Sequence, residues 1–393
     1  FEFQNIPGVD DVFHWGRSNP GYKIVTSASY NYDKPVTWAE TYAAYHKIDK
    51  DIVYKVAMDQ YAMGVNMQTP FPSEIEKFMA KDELKRYNQY IGRLSYVLQN
   101  GRHVSDVAVI YPIASAQAYN VFGEGWDYAY KGGKMPPEFD YLKVGEELFR
   151  KLRIDFTYLH PEVMMKKCII EKQRLLLQNL INKEVYQVLV IPGGNTIQAS
   201  VAVKILEFFR QGGKIIATSK LPVFSAEFGK DEVVRSAMME IFGIGLNELL
   251  ESKPGKTDTY LKNSNKAGGM AFFIPMSNAD ILKEVFSICL PARDVQFTDS
   301  GWDTGKPNRY KSELKPDSLE RIKMQQSDYK GALTYTHKVK GGKNVYFFAN
   351  SSEKPVETDV ILRGEMKLDL WNPLDGVKYN TESTTRRVNG ITY

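Results

Sequence analysis

The run Lys34-Pro35-Val36-Thr37-Trp38-Ala39-Glu40-Thr41-Tyr42 joins a short apolar segment to a carboxylate at its end. A strand that delivers Glu40 at its C-terminal end, with Trp38, Tyr42 and Tyr45 nearby, has the layout by which a (β/α) barrel places a catalytic acid or base. One chemistry that such a layout serves is cleavage of a glycosidic bond. One carboxylic acid protonates the departing oxygen, and a second carboxylate acts as nucleophile or as base for a water. A strand-end glutamate equally suits a helix cap or an ion pair with Lys or Arg, so the local pattern leaves both readings open.

Candidate partners for Glu40 are Asp10, Asp11, Asp33 and Glu74, whose distances the sequence does not fix. Asp10 and Asp11 follow Pro7-Gly8, a turn context in which a solvated loop is the default. Trp15, Trp38, Tyr42 and Tyr45 suit a sugar-stacking platform and suit packing equally well. Asn66 and Gln68, near the end of a further short strand, suit hydrogen bonds to sugar hydroxyls, or a satisfied strand terminus. Retaining and inverting enzymes separate their carboxylates by about 5–5.5 Å and about 6.5–9.5 Å respectively, so the stereochemical outcome awaits the second group.

Other chemistries find less support. His14, His46, His103, His160 and His337 are dispersed and form no metal spacing, and no Ser-His-Asp arrangement emerges. Cys168 and Cys289 lie in no CxxC or Cys/His cluster, which argues for buried thiols rather than a zinc site or a disulfide framework. Ile191-Pro192-Gly193-Gly194-Asn195-Thr196 is a glycine turn before a helix, but it matches neither GxGxxG nor a P-loop. Thr218-Ser219-Lys220 stands where a nucleophile elbow would need Gly-x-Cys or Gly-x-Ser. No cofactor and no metal-ligand cluster is expected from these residues, and the sequence leaves calcium open.

The elements that must position Glu40 fall in three blocks. With 393 residues, 43% hydrophobic and 25% charged, the chain has the length and composition of a multidomain globular protein. Its net charge of +4 is scattered, which argues against nucleic-acid binding, and no apolar run approaches a membrane span. Residues 1–103 alternate short strands and helices, with Ile24–Val25 and Val36–Trp38 read as strands. Ile52–Met63 reads as a helix ending at Gly64, and Val65–Thr69 as a strand closed by Pro70 and Pro72. Ser73 and Glu76 form a capping box. Leu84, Tyr87, Ile91, Leu94 and Leu98 recur at helical spacing up to a C-cap at Gly101.

Residues 104–300 carry five short, continuous apolar runs: Val107–Ile110, Phe156–Leu159, Val188–Ile191, Ile215–Ala217 and Ala271–Ile274. Strands that are apolar throughout are buried on both faces, so a doubly wound, flavodoxin-like parallel sheet is expected. Residues 301–330 read as a linker or long loop, rich in Lys, Asp, Ser and Pro. Residues 331–393 switch to alternation, with Leu333–Val339 and Asn344–Ala349 around a Lys340-Gly341-Gly342-Lys343 turn. A C-terminal antiparallel β-sandwich is expected there, open to truncation at Tyr393.

Four stretches carry a family resemblance: KPVTWAETY at 34–42, MGVNMQTPFP at 63–72, GRLSYVLQNGRHVSDVAVIYP at 92–112 and LWNPLDG at 370–376. In this order they resemble bacterial sugar hydrolases similar to the family 106 α-L-rhamnosidases and, more distantly, the family 42 β-galactosidases. The resemblance implies an α/β multidomain chain: the terminal part of a (β/α)8 barrel, a flavodoxin-like domain of glutamine-amidotransferase type without catalysis, and a β-sandwich. It implies that Glu40 is a catalytic glutamate and that a second carboxylate lies on a strand before Phe1. It further implies a carbohydrate substrate, with rhamnose as the sugar indicated, a periplasmic or secreted bacterial location, and oligomer contacts through the flavodoxin-like domain. Two alternatives stay open: a non-catalytic carbohydrate-binding or oligomerisation module, and a small-molecule or nucleotide-binding flavodoxin-like protein.

Overall fold

The structure, a computed structural model, describes residues 2–4, 21–42, 50–70, 75–76, 79–119, 136–251, 260–275, 278–298, 333–352, 355–388 and 390–393. The chain divides into two compact units. One comprises residues 1–30, 34–104 and 292–393, the other residues 31–33 and 105–291. The C-terminal strands therefore share a unit with the Glu40 segment. The linker expected at 301–330 lies outside the described residues.

The first unit opens with β1 (Glu2–Gln4), α1 (Gly21–Asn31), β2 (Trp38–Thr41), α2 (Lys50–Ala62), β3 (Met67–Pro70), α3 (Lys81–Leu98) and β4 (Arg102–His103). Ile24 and Val25, read as a strand from two adjacent β-branched residues, lie instead inside helix α1. Strands β1, β2 and β3 form a parallel three-stranded sheet with β2 at its centre. Pro70 is tolerated because β3 is an edge strand, where a missing N–H breaks no ladder. Helix α2 stops as expected: Gly64 adopts φ 105°, a conformation that disfavours any side chain. The end of α3 differs from expectation. Asn100, at φ 57°, is the left-handed residue there. Gly101 instead lies against β-strand residues, its missing Cβ only 3.3 Å from that of Lys338.

The second unit contains β5 (Val107–Ile110), α4 (Ile113–Tyr119), α5 (Tyr141–Glu146), β6 (Phe156–Leu159), α6 (Pro161–Lys167), β7 (Cys168–Glu171), β8 (Arg174–Leu177), β9 (Val185–Tyr186), β10 (Val188–Ile191), β11 (Thr196–Ile197), α7 (Ala199–Arg210), β12 (Lys214–Thr218), β13 (Phe224–Ser225), α8 (Asp231–Phe242), α9 (Leu246–Glu251), β14 (Leu261–Ser264), β15 (Met270–Ile274) and α10 (Ala279–Cys289). A π-helical turn, Glu147–Lys151, extends α5. The main sheet runs β14-β15-β12-β10-β5-β6, with β14 antiparallel at one edge and the rest parallel. Numbered by chain order, its parallel strands stand 2-1-3-4-5.

Each of the five expected apolar runs is a strand of this sheet, and the reason is visible in its packing. Ala108, Ile110, Leu189, Ile191, Ile215 and Ala217 join the core beneath α6, α7 and α8. The alternate residues Val107, Val109, Val188, Val190 and Ile216 are equally buried on the other face. Strands without a wet face cannot alternate in polarity. Both cysteines are buried and free, and burial pushes each thiol up to about 12.

The chain then returns to the first unit with β16 (Val295–Phe297), β17 (Leu333–Lys340), β18 (Lys343–Asn350), β19 (Val360–Leu362), β20 (Leu370–Trp371), β21 (Lys378–Tyr379), β22 (Arg387–Val388) and β23 (Ile391–Thr392). The β17–β18 hairpin turns on Gly341 and Gly342, at φ 55° and 75°, as the glycine pair requires. In the region expected to form a sandwich, the described residues form the antiparallel sheet β18-β17-β4 and the two-stranded antiparallel ladders β16–β19, β20–β21 and β22–β23. Thr334, Tyr335, Thr336, His337 and Lys338 of β17 are consecutive and buried, so this strand is covered on both faces.

Candidate active site

Register decides which residues share a face with Glu40. It pairs with Gln4 on one side and Thr69 on the other, while Ala39 pairs with Gln68. Ala39 and Thr41 are fully buried, whereas Trp38 and Glu40 are half-buried. The sheet thus has a packed face carrying Ala39, Thr41 and Gln68, and an open face carrying Trp38, Glu40, Met67 and Thr69. On the open face the Trp38 indole Nε1 donates to Thr69 Oγ1 at 2.6 Å, clasping β2 to β3 beside the glutamate. Among the described residues, no hydrogen bond or ion pair engages the Glu40 carboxylate.

The remaining sequence candidates separate from this face. Tyr42 is 1% exposed; its hydroxyl donates to Val53 O at 2.9 Å and lies 3.1 Å from the Tyr87 hydroxyl. Gln68 is buried and accepts from the Tyr87 hydroxyl while donating to Gln60 Oε1 at 2.6 Å. Asn66 accepts from Thr37 N and donates to Pro35 O, both at 2.9 Å, which holds the entry to β2. The side-chain groups of these three residues therefore bind protein. Trp15, Tyr45, Asp10, Asp11, Glu74 and Ser73, with His14 and His46, lie outside the described residues.

Asp33 belongs to the second unit, where its carboxylate accepts N–H groups from Leu180, Ile181 and Asn182 at 2.8–3.3 Å. Burial acts to raise its pKa, but these backbone donors outweigh it and hold the carboxyl below the usual aspartate value. The three described histidines are also engaged. His103 stacks on Tyr30 at 4.4 Å, and His160 Nδ1 accepts from Glu162 N at the start of α6. His337 lies 2.8 Å from Asp294 and 3.1 Å from Asn344. Among the described residues no group of three or more His, Cys, Asp or Glu could hold a metal ion. No helix there is long and apolar enough to cross a membrane.

The glycine turn at 193–194 follows β10, beside the point where the strand order of the second unit reverses. Such a crevice is where open α/β sheets bind ligands. Here an internal carboxylate occupies the donors. Asp140 Oδ1 accepts from Gly193 N at 2.7 Å and Thr218 Oγ1 at 3.0 Å, and Oδ2 from Ser219 Oγ at 2.5 Å. Burial pushes the Asp140 carboxyl up in pKa despite these three donors. A Cβ on Gly193 would stand 2.0 Å from Glu138 O, so the 138–140 segment lies directly against the turn. The neighbouring cleft, lined by Tyr111, Ser115, Gly194 and Thr196, holds about 20 Å³, room for about one water.

Sequence reasoning missed Asp140, and it read Ser219 only as part of a strand end that lacks a nucleophile elbow, not as a donor to Asp140. Asp140 lies 53 residues from Gly193 and carries no local motif. Ser219 adopts φ 54°, a strained conformation at the end of β12 that residue type does not announce. The Trp38–Thr69 clasp becomes readable once β2 and β3 are known to be parallel and in register.

No protein-family model matches the chain, and no curated protein matches it in sequence. Solved structures are similar in fold. A rhamnosidase from Novosphingobium sp. PP1Y aligns with a TM-score of 0.56 and 16% identity over 95% of this chain. A β-galactosidase from Bacillus circulans sp. alkalophilus aligns at 0.50 and 11% over 93%. A catalytic mutant of a GH42 β-galactosidase from G. stearothermophilus aligns at 0.50 and 11% over 90%. The chain spans 32% of the rhamnosidase and 61% and 58% of the two galactosidases. The fold is therefore of a kind found in glycoside hydrolases.

Proposed function

We propose that this chain is part of a glycoside hydrolase and that Glu40 is one carboxylate of its acid–base pair, with α-L-rhamnose as the first sugar to test. The observation that carries this reading is the placement of Glu40 with Trp38 on the open face of a parallel sheet whose other face is packed. A carboxylate with no fold partner among the described residues, next to an indole with an apolar face for a sugar ring, is suited to paired-carboxylate cleavage. Glu40 acts as base or nucleophile in this reading, and the second carboxylate is still to be identified. Trp38 contributes the stacking surface, while Tyr42, Asn66 and Gln68 hold the scaffold. The three-stranded sheet is read as barrel-derived, and the 2-1-3-4-5 sheet as a flavodoxin-like domain that supports oligomer contacts. A bacterial periplasmic or secreted location belongs to the same proposal.

The test is turnover of a panel of aryl glycosides, aryl α-L-rhamnosides included, by the full-length protein and its Glu40→Gln variant. Loss of an acid–base carboxylate lowers kcat by about 10²–10⁴-fold. Equal turnover by the two proteins removes Glu40 from catalysis.

A further inference from the structure

Behind the sheet that carries Glu40 runs a connected set of buried polar side chains. Tyr42, two residues beyond Glu40, reaches Val53 O on α2 and the Tyr87 hydroxyl on α3. The Tyr87 hydroxyl donates to Gln68 Oε1 on β3, Gln68 Nε2 donates to Gln60 Oε1 at 2.6 Å, and Gln60 Nε2 donates to the Tyr22 hydroxyl at 3.0 Å. One side chain, Tyr87, links Tyr42, the residue that follows β2, to the strand beside it.

Two features make this more than filler. Tyr42 stands at φ 66°, a conformation that L-residues avoid and that persists only where the surroundings over-determine it. Its side chain is fixed by helices α2 and α3, so the backbone at Tyr42 is held from behind. In addition, two hydroxyl protons, on Tyr42 and Tyr87, serve three contacts: Val53 O, Gln68 Oε1 and the contact between the two hydroxyls. Removing one hydroxyl therefore unsettles partners on more than one element. Tyr87 itself is fully buried, with its ring edge-on to Tyr54 at 5.3 Å and to Tyr42 at 6.4 Å.

We propose that Tyr87 is a positioning residue for Glu40: by bridging Tyr42 and Gln68 it fixes the end of β2 against β3, and with it the direction in which the Glu40 carboxylate leaves the sheet. Trp38 and Thr69 clasp the same two strands on the open face. Glu40 thus sits on a strand end held from both sides, the rigid mounting a reacting group needs. This inference rests on the proposed glycoside hydrolase reading.

The experiment uses the full-length protein, an aryl glycoside that it turns over, and the variants Tyr87→Phe, Tyr42→Phe and Glu40→Gln. All are assayed well below their melting temperatures, with folding checked by circular dichroism. Misplacing a catalytic group by a fraction of an ångström to one ångström costs roughly ten- to a hundredfold. Tyr87→Phe is therefore expected to lose kcat on that scale with KM little changed, and Tyr42→Phe, which keeps the Tyr87–Gln68 bond, to lose less. If both variants melt lower but keep the wild-type kcat, the network is structural alone and the proposal is overturned. Should Tyr87→Phe fail to fold, Tyr42→Phe decides by the same split between kcat and KM. An inactive Glu40→Gln beside a fully active Tyr87→Phe overturns the positioning role and leaves the functional reading standing. A Glu40→Gln variant as active as wild type, or a wild type that cleaves none of the glycosides, overturns both.

Discussion

The end of β10 in the second unit and the end of β2 in the first are chemically alike and structurally opposite. Each is the C-terminal end of a parallel strand, the usual location of sites in α/β folds, and each has a carboxylate close by. At β10 the carboxylate of Asp140 is buried and takes donors from Gly193, Thr218 and Ser219. At β2 Glu40 is half-buried, and no described residue engages its carboxylate. Position in the sheet does not separate scaffold from site. The state of the polar groups differs: Asp140 is committed to three protein donors, whereas Glu40, the carboxylate proposed to react, is engaged by no described residue.

The contrast can be broken first at Asp140. Asp140→Ala leaves one buried N–H and two buried hydroxyls without their acceptor, a loss of about 3 kcal/mol at one to a few kcal/mol for each stranded group. Urea unfolding of the variant is expected to report a loss of that size, and a loss under about 1 kcal/mol would mean the clamp is weak. Gly193→Ala follows. Its new methyl would stand 2.0 Å from the Glu138 carbonyl oxygen, a backbone atom that cannot swing aside. Overpacking of that kind costs about 1–3 kcal/mol, readable as a lower melting temperature.

The first unit offers a smaller test of the same idea. Trp38→Phe keeps an aromatic face on the Glu40 side but removes the donor to Thr69, and about 1 kcal/mol of stability is expected to go with it. A stability unchanged within error would show that the clasp contributes nothing.

The smallest effect is a pH dependence at Asp33. Its folded-state pKa is lowered, so it contributes stability above the ordinary aspartate value of about 3.9 and loses that contribution as the pH falls through the lower folded value. Because Asp33 is partly exposed to solvent, the contribution is expected to be smaller than that of the Trp38–Thr69 bond. Asp33→Asn should thus be destabilised at pH 7 and converge on wild type in acid, as followed by chemical denaturation at both ends of that window. A constant difference across it would remove the carboxylate from the account.

The residues show why some of this was legible in the sequence and some was not. Val107–Ile110 and its four companions read as buried strands because a strand covered on both faces must be apolar at every position. The Gly341-Gly342 turn was equally legible, since few residue pairs accept positive φ twice. Glu40 and Trp38 share a face by simple alternation. Alternation also separates Gln68 from Glu40, but only after the register of β2 against β3 is known, and register is a tertiary property. Tyr42 escaped for a related reason: its positive φ turns it inward onto Tyr87, where an aromatic after a glutamate had suggested a sugar platform. The β17 strand was readable as a strand, while its burial on both faces depends on packing that alternation does not reveal.

The central claim, that the uncommitted carboxylate reacts while the committed one folds, is tested most directly by measuring turnover and unfolding free energy together for Glu40→Gln and Asp140→Ala in the full-length protein. The account predicts that Glu40→Gln loses about 10²–10⁴-fold in kcat with unchanged stability. It predicts that Asp140→Ala loses about 3 kcal/mol of stability while its folded fraction turns over as wild type does. A Glu40→Gln variant that keeps wild-type turnover would contradict it.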